Sequence, residues 1–182
     1  MDFSENDLYK TIDFPSEEVL LKEKNSKFFG YAIPVTSEEE VKENLERLRK
    51  EHFSARHWCY AYQIGTEKIQ YRANDDGEPN NSAGMPIYGQ IQSFEVTNVL
   101  IVVVRYFGGV KLGVGGLISA YKTAAQMALE NATIIEKTID KHFIISFGYA
   151  HMNKVMRIIK EKNLQIVSQK MEMDCEIEIS IR

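Results

Sequence analysis

The residues best suited to chemistry fall in two places. The first is the run Arg105-Tyr106-Phe107-Gly108-Gly109-Val110-Lys111-Leu112-Gly113-Val114-Gly115-Gly116. Its glycines stand between an apolar run and an Ala-rich helical pattern, so this turn feeds a helix. A turn of that kind exposes backbone N–H groups beside the positive end of the helix dipole, which suits an anion. Arg105 and Lys111 add positive charge to it. No Gly-Lys-Ser/Thr closes the run, so it is not a P-loop, and the strict dinucleotide spacing is also missing. Gly108, Gly109, Gly113, Gly115 and Gly116, with Arg105, Lys111 and Arg56, are therefore the expected phosphate or RNA contacts. The competing reading is that the glycines only permit positive φ and close chain approach.

The second place is the loop around Asp75, Asp76 and Glu78, set among Asn74, Asn80, Asn81 and Ser82. Carboxylates this close together are candidate ligands for Mg²⁺. They lack EF-hand spacing, and acidic residues in a Gly/Pro loop serve equally as turn formers. No other cofactor is expected. His57, beside Arg56 and Trp58, is the histidine best placed as a general base or as a ring stacked on a nucleobase. His57, Asp76 and Glu78 are thus the catalytic candidates if the protein is an enzyme. Lys24, Ser26, Lys27 and Phe28 form a smaller basic and aromatic patch of a type that suits single-stranded RNA.

These residues must be positioned by an α+β scaffold. Strands are expected at 17–24 and 27–35 around a turn at Asn25-Ser26. Ser37 and Glu40 have capping-box spacing ahead of Val41, Leu45 and Leu48, which predicts a helix with one buried stripe. Trp58, Tyr60 and Tyr62 alternate with Cys59 and Ala61 as in a strand, and a turn follows at Gly65-Thr66. Residues 72–86 read as a long loop leading to a short helix at 86–93. The β-branched run from Asn98 to Tyr106 predicts a central strand covered on both faces. A helix over 116–131 carries a thin face of Ala120, Ala124, Ala125 and Ala128. A linker is expected at 133–138, dividing a domain at 1–135 from another at 138–182. The second reads as strand, helix, strand, strand, and its last strand alternates from Met171 through Met173, Cys175, Ile177 and Ile179 to Ile181.

Bulk properties exclude several classes. Across 182 residues the chain is 44% apolar and 26% charged with a net charge of −4, which is globular composition and no polybasic nucleic-acid binder. The two cysteines lack CxxC spacing and read as free thiols. No basic, apolar leader opens the chain and its longest apolar run is too short for a bilayer, so a cytoplasmic protein without a membrane partner is expected. A monomer or weak dimer is expected.

Three runs together resemble the YigZ/IMPACT family: Lys24-x-Ser26-Lys27-Phe28-x-Gly30, Asp75-Asp76-Gly77-Glu78-Pro79 with Ser82-Ala83-Gly84-x-Pro86, and the stretch from Arg105 to Tyr121. The resemblance implies an N-terminal domain similar to domain 2 of ribosomal protein S5. It also implies a ferredoxin-like domain similar to the C-terminal domain of elongation factor G, incomplete in this chain. It further implies a translation-associated role with RNA or a ribosome-associated protein as partner, because eukaryotic members regulate translation. Ser119 departs from the family, which often has Arg there, and removes one positive charge. An Mg²⁺-dependent hydrolase or phosphoryl-processing enzyme is the alternative. A protein-recognition module would instead expose an apolar patch at Tyr106, Phe107 and Leu112.

Overall fold

The computed structural model describes residues 7–182, and the chain forms two compact units. The larger spans Tyr9–Lys137, and the smaller spans Thr138–Arg182 together with Asp7 and Leu8.

In the larger unit β1 (Leu8–Ile12) is followed by β2 (Val19–Glu23), β3 (Ser26–Pro34), α1 (Glu38–Glu51), β4 (His57–Ile64), β5 (Gln70–Asn74), α2 (Gly84–Ser93), β6 (Val99–Tyr106), α3 (Gly113–Asn131) and β7 (Ile134–Thr138). Five strands form an antiparallel sheet in the order β2-β3-β6-β4-β5, which places the β-branched run at its centre. Successive side chains of β6 point to opposite faces. Val99, Ile101 and Val103 enter a core shared with α2 and α3, while Leu100, Val102 and Val104 enter a second core with α1. Arg105 continues the first set and is buried, whereas Tyr106 continues the second.

Helix α1 follows the expected physics. Ser37 Oγ accepts the Glu40 N–H at the N-cap, and Glu40 reaches back to the Thr36 N–H. Val41, Leu45 and Leu48 are the buried stripe. Helix α3 lays Ala120, Ala124, Ala125 and Ala128 against the sheet, small side chains that allow close approach.

Several boundaries differ from the sequence reading. The β2–β3 turn is Lys24-Asn25, both with positive φ, and Ser26 is the first residue of β3 and fully buried. β5 takes the first residues of the expected 72–86 loop through its ladder with β4, and α2 begins at Gly84. Helix α3 starts at Gly113 rather than 116, so three of the glycines form its first turn. The expected linker at 133–138 is largely strand, since β7 pairs with β1.

In the smaller unit β8 (Lys141–Gly148), a short 3₁₀ turn, α4 (Met152–Glu161), β9 (Gln165–Lys170) and β10 (Asp174–Ile181) give an antiparallel sheet ordered β8-β10-β9. Ile159, Ile177 and Ile179 centre its core. β10 begins at Asp174, not at Met171. β8 ends opposite Asp174 and β9 opposite Glu176, so residues 171–173 have no ladder to join. Met173 is accordingly 91% exposed instead of inward-facing.

Candidate functional site

The acidic loop and the glycine-rich turn meet at a cavity of about 500 Å³. Arg56, His57, Glu78, Pro79, Arg105 and Phe107 line one part of it; Lys111, Leu112, Gly113, Val114 and Leu117 line the rest. β4 carries His57, with Arg56 just before it, and β6 carries Arg105. The two strands are in register here, with His57 opposite Arg105 and the Arg56 N–H donating to the Arg105 carbonyl at 3.0 Å.

Arg105 Nη1 donates to Glu78 Oε1 at 2.6 Å, and the Tyr121 hydroxyl donates to the same oxygen at 2.7 Å. Both side chains of the ion pair are almost fully buried. Arg105 Nη2 reaches Ser26 Oγ at 3.4 Å, and that oxygen also accepts the Gly108 N–H at 3.2 Å. Arg105 Nε is buried without a hydrogen-bond partner among the described residues.

His57 Nδ1 lies 2.8 Å from the Asp76 carbonyl oxygen. A carbonyl only accepts, so Nδ1 carries the proton. Nε2, 3.9 Å from Glu78 Oε1, is then the ring nitrogen left for a ligand.

The three carboxylates of the loop do three separate jobs. Asp75 Oδ1 accepts the N–H groups of Ala83 and Gly84 at 3.1 and 2.8 Å, and Oδ2 accepts that of Asn81 at 2.9 Å. It thereby caps α2, whose own N-cap residue Ala83 has no side chain to do so. Asp76 Oδ2 accepts the Trp58 N–H at 2.7 Å, tying the loop to β4. Glu78 turns inward to Arg105. The expected Mg²⁺ cluster of Asp75, Asp76 and Glu78 is therefore not formed, and among the described residues no group of three His, Cys, Asp or Glu side chains is arranged to hold a metal.

Of the expected anion contacts, Arg56, Arg105, Lys111 and Gly113 line the cavity, while Gly108, Gly109, Gly115 and Gly116 do not. Gly108 has a structural duty, because a Cβ there would stand 2.1 Å from the Asn25 carbonyl. Gly109 and Gly113 have φ of 86° and 74°, a conformation that favours glycine. The N-cap residue of α3, Leu112, makes no side-chain capping hydrogen bond. Arg56 and Lys111 are exposed and make no ion pair among the described residues. The Arg56 guanidinium lies over the Phe107 ring, 5.7 Å from its centroid.

The apolar patch at Tyr106, Phe107 and Leu112 is not formed. Tyr106 packs with Phe29 and His52 on the other side of the sheet, Leu112 is buried, and Phe107 lies among cations. The patch at Lys24 to Phe28 is likewise no stacking surface, since Phe28 is fully buried edge-on to Tyr121. Tyr121 is the functional-site partner that the sequence reading missed. Its signals were a polar-tipped ring in an otherwise Ala-rich face and its place at the end of the Arg105 to Tyr121 run. Burial raises the pKa of both Tyr121 and Cys59, and the neighbouring Glu78 charge raises both further; the Cys59 thiol donates to the Asp75 carbonyl at 3.0 Å.

Residues 24–129, which include every lining residue of the cavity, match the family model of the Impact N-terminal domain. The chain belongs to the IMPACT family. It is 34% identical over 153 residues to IMPACT family member YvyE of Bacillus subtilis, a match covering 84% of this chain and 70% of that protein. With IMPACT family member YigZ of Escherichia coli it shares 32% identity over 147 residues, 80% of this chain and 72% of the relative. A crystal structure described as that of a hypothetical protein superposes with a TM-score of 0.80 at 27% identity, covering 97% of this chain and 86% of that one. The acidic loop and the glycine-rich turn both fall within the matched IMPACT segment.

Proposed function

We propose that this IMPACT family member is a translation-associated regulatory protein that binds RNA through phosphate contacts at the cavity. The observation that carries the reading is that Arg56 and Lys111, two cations without carboxylate partners among the described residues, line one concave site with Phe107. The inward-facing carboxylate, Glu78, is neutralised by Arg105 and so does not repel an anion. Cations beside an aromatic ring suit a phosphate and its attached base. Family membership supports the link to translation, in which eukaryotic members act as regulators. It also supports reading the larger unit as similar to domain 2 of ribosomal protein S5. The order β8-β10-β9 supports a partial ferredoxin-like unit, because it sets the third strand of the unit between the first and second.

The test is binding of a single-stranded RNA oligonucleotide over a salt series. Affinity should fall linearly on a log–log plot, with a slope of about −0.7 per phosphate contacted. RNA binding that ignores salt, or no RNA binding at 50 mM salt, overturns the reading.

A further inference from the structure

Resting on the reading of this cavity as a phosphate site, we infer that its ligand is a nucleoside phosphate monoester, the group found at an RNA terminus or on a free mononucleotide, and not an internal phosphodiester.

Charge is the first argument. An internal diester carries one negative charge, whereas a monoester carries about −1.5 to −2 at pH 7. The site presents Arg56 and Lys111 unpaired among the described residues, while its third cation, Arg105, is already bound to Glu78. Two available cations match a dianion.

Shape is the second. A cavity of about 500 Å³ falls in the range of about 300–1,000 Å³ typical of pockets that enclose one small ligand. Pro79, Leu112, Val114 and Leu117 supply apolar wall, and Phe107 is 39% exposed. One base and one sugar fit a space of this volume with these walls.

The third argument is the histidine. With Nδ1 committed to the Asp76 carbonyl, His57 offers Nε2 alone. A monoester can pair with it in either protonation state, because its singly protonated form donates a P–OH to neutral imidazole and its dianion accepts from imidazolium. A diester lacks the first option.

The experiment compares four probes on the full chain at fixed salt: a 12-nucleotide RNA with a 5′-hydroxyl, the same RNA with a 5′-phosphate, the same RNA with a 3′-phosphate, and adenosine 5′-monophosphate. At least one terminally phosphorylated RNA should bind about tenfold more tightly than the 5′-hydroxyl RNA, and Lys111→Ala should abolish that advantage. Lys111 is exposed, so this variant keeps its fold. Adenosine monophosphate binding as tightly as the phosphorylated RNA supports the inference and makes a free nucleotide the ligand; much weaker binding with the RNA advantage intact makes it an RNA end. Equal binding of all three RNAs, still weakened by Lys111→Ala, overturns the monoester inference and leaves the RNA reading standing. No binding of any probe overturns both.

Discussion

Arg105 and Glu78, 27 residues apart in sequence, meet at 2.6 Å with both side chains almost wholly out of water. Breaking a buried pair strands one charge, at a cost of about 3–5 kcal/mol. Arg105→Met should therefore destabilise the larger unit by that order in chemical denaturation. Glu78→Gln should cost less, because its amide oxygen still accepts from both Arg105 and Tyr121. A double variant, Arg105→Met with Glu78→Leu, should recover part of the loss. Additive losses would show that the two side chains are not coupled.

Asp75 holds the N-terminus of α2 through three backbone N–H groups. Asp75→Ala should lower stability by about 1–2 kcal/mol, the scale of a lost helix cap. Millimolar Mg²⁺ should leave the melting temperature of the parent protein unchanged, because Asp75, Asp76 and Glu78 have separate partners. A rise of several degrees on adding Mg²⁺ would restore the metal reading.

Lys111→Ala and Arg56→Ala each remove one exposed cation from the cavity. Each should weaken RNA binding and make the log–log salt slope shallower by about 0.7 for single-stranded RNA. Thermal unfolding should stay within about 0.5 kcal/mol of the parent, as for surface positions generally.

Cys59 and Tyr121 bear on pH. Their folded pKa values are raised above the ordinary 9.0 and 10.0, burial first and the Glu78 charge adding to it. Groups shifted upward bind protons more tightly when folded. Their contribution to stability is complete below pH 9 and is lost as pH climbs past it. Unfolding free energy should thus decline from about pH 9 upward, and Cys59→Ala should flatten the first part of that decline. Native Cys59 should also resist alkylation at pH 8, where an exposed thiol reacts.

Gly108 and Gly115 make a contrast. Gly108→Ala forces a methyl into the Asn25 carbonyl and should destabilise the site turn. Gly115 sits in the first turn of α3 with open space where a Cβ would go. Gly115→Ala should stabilise the helix by up to about 1 kcal/mol. The two melting temperatures should move in opposite directions.

Much of the scaffold was legible because its signals are local. The capping box at Ser37, the stripe of α1 and the doubly buried run of β6 need only sequence spacing. β1 and β7 were not legible. Each is five residues long and mixed in exposure, and it is pairing, not periodicity, that makes them strands. The start of α3 was misplaced because glycine is a poor helix former, yet an uncapped first turn tolerates it. At the site, the two loops and Arg56, His57, Arg105 and Lys111 could be read from residue type. The division of labour among Asp75, Asp76 and Glu78 could not. Three neighbouring carboxylates look alike until the fold gives each a different partner.

An inner tier, Arg105 and Glu78 in the cavity wall with their partners Tyr121 and Ser26, is wired into both the sheet and α3, and an outer tier, Arg56, Phe107, Lys111 and Val114, reaches solvent. Substitution of Arg56, Lys111 or Val114 leaves the wiring untouched, whereas Phe107 also packs on the Arg105 guanidinium. A lineage could therefore exchange one ligand for another by changing those few side chains, while the inner tier stays as fixed as the core.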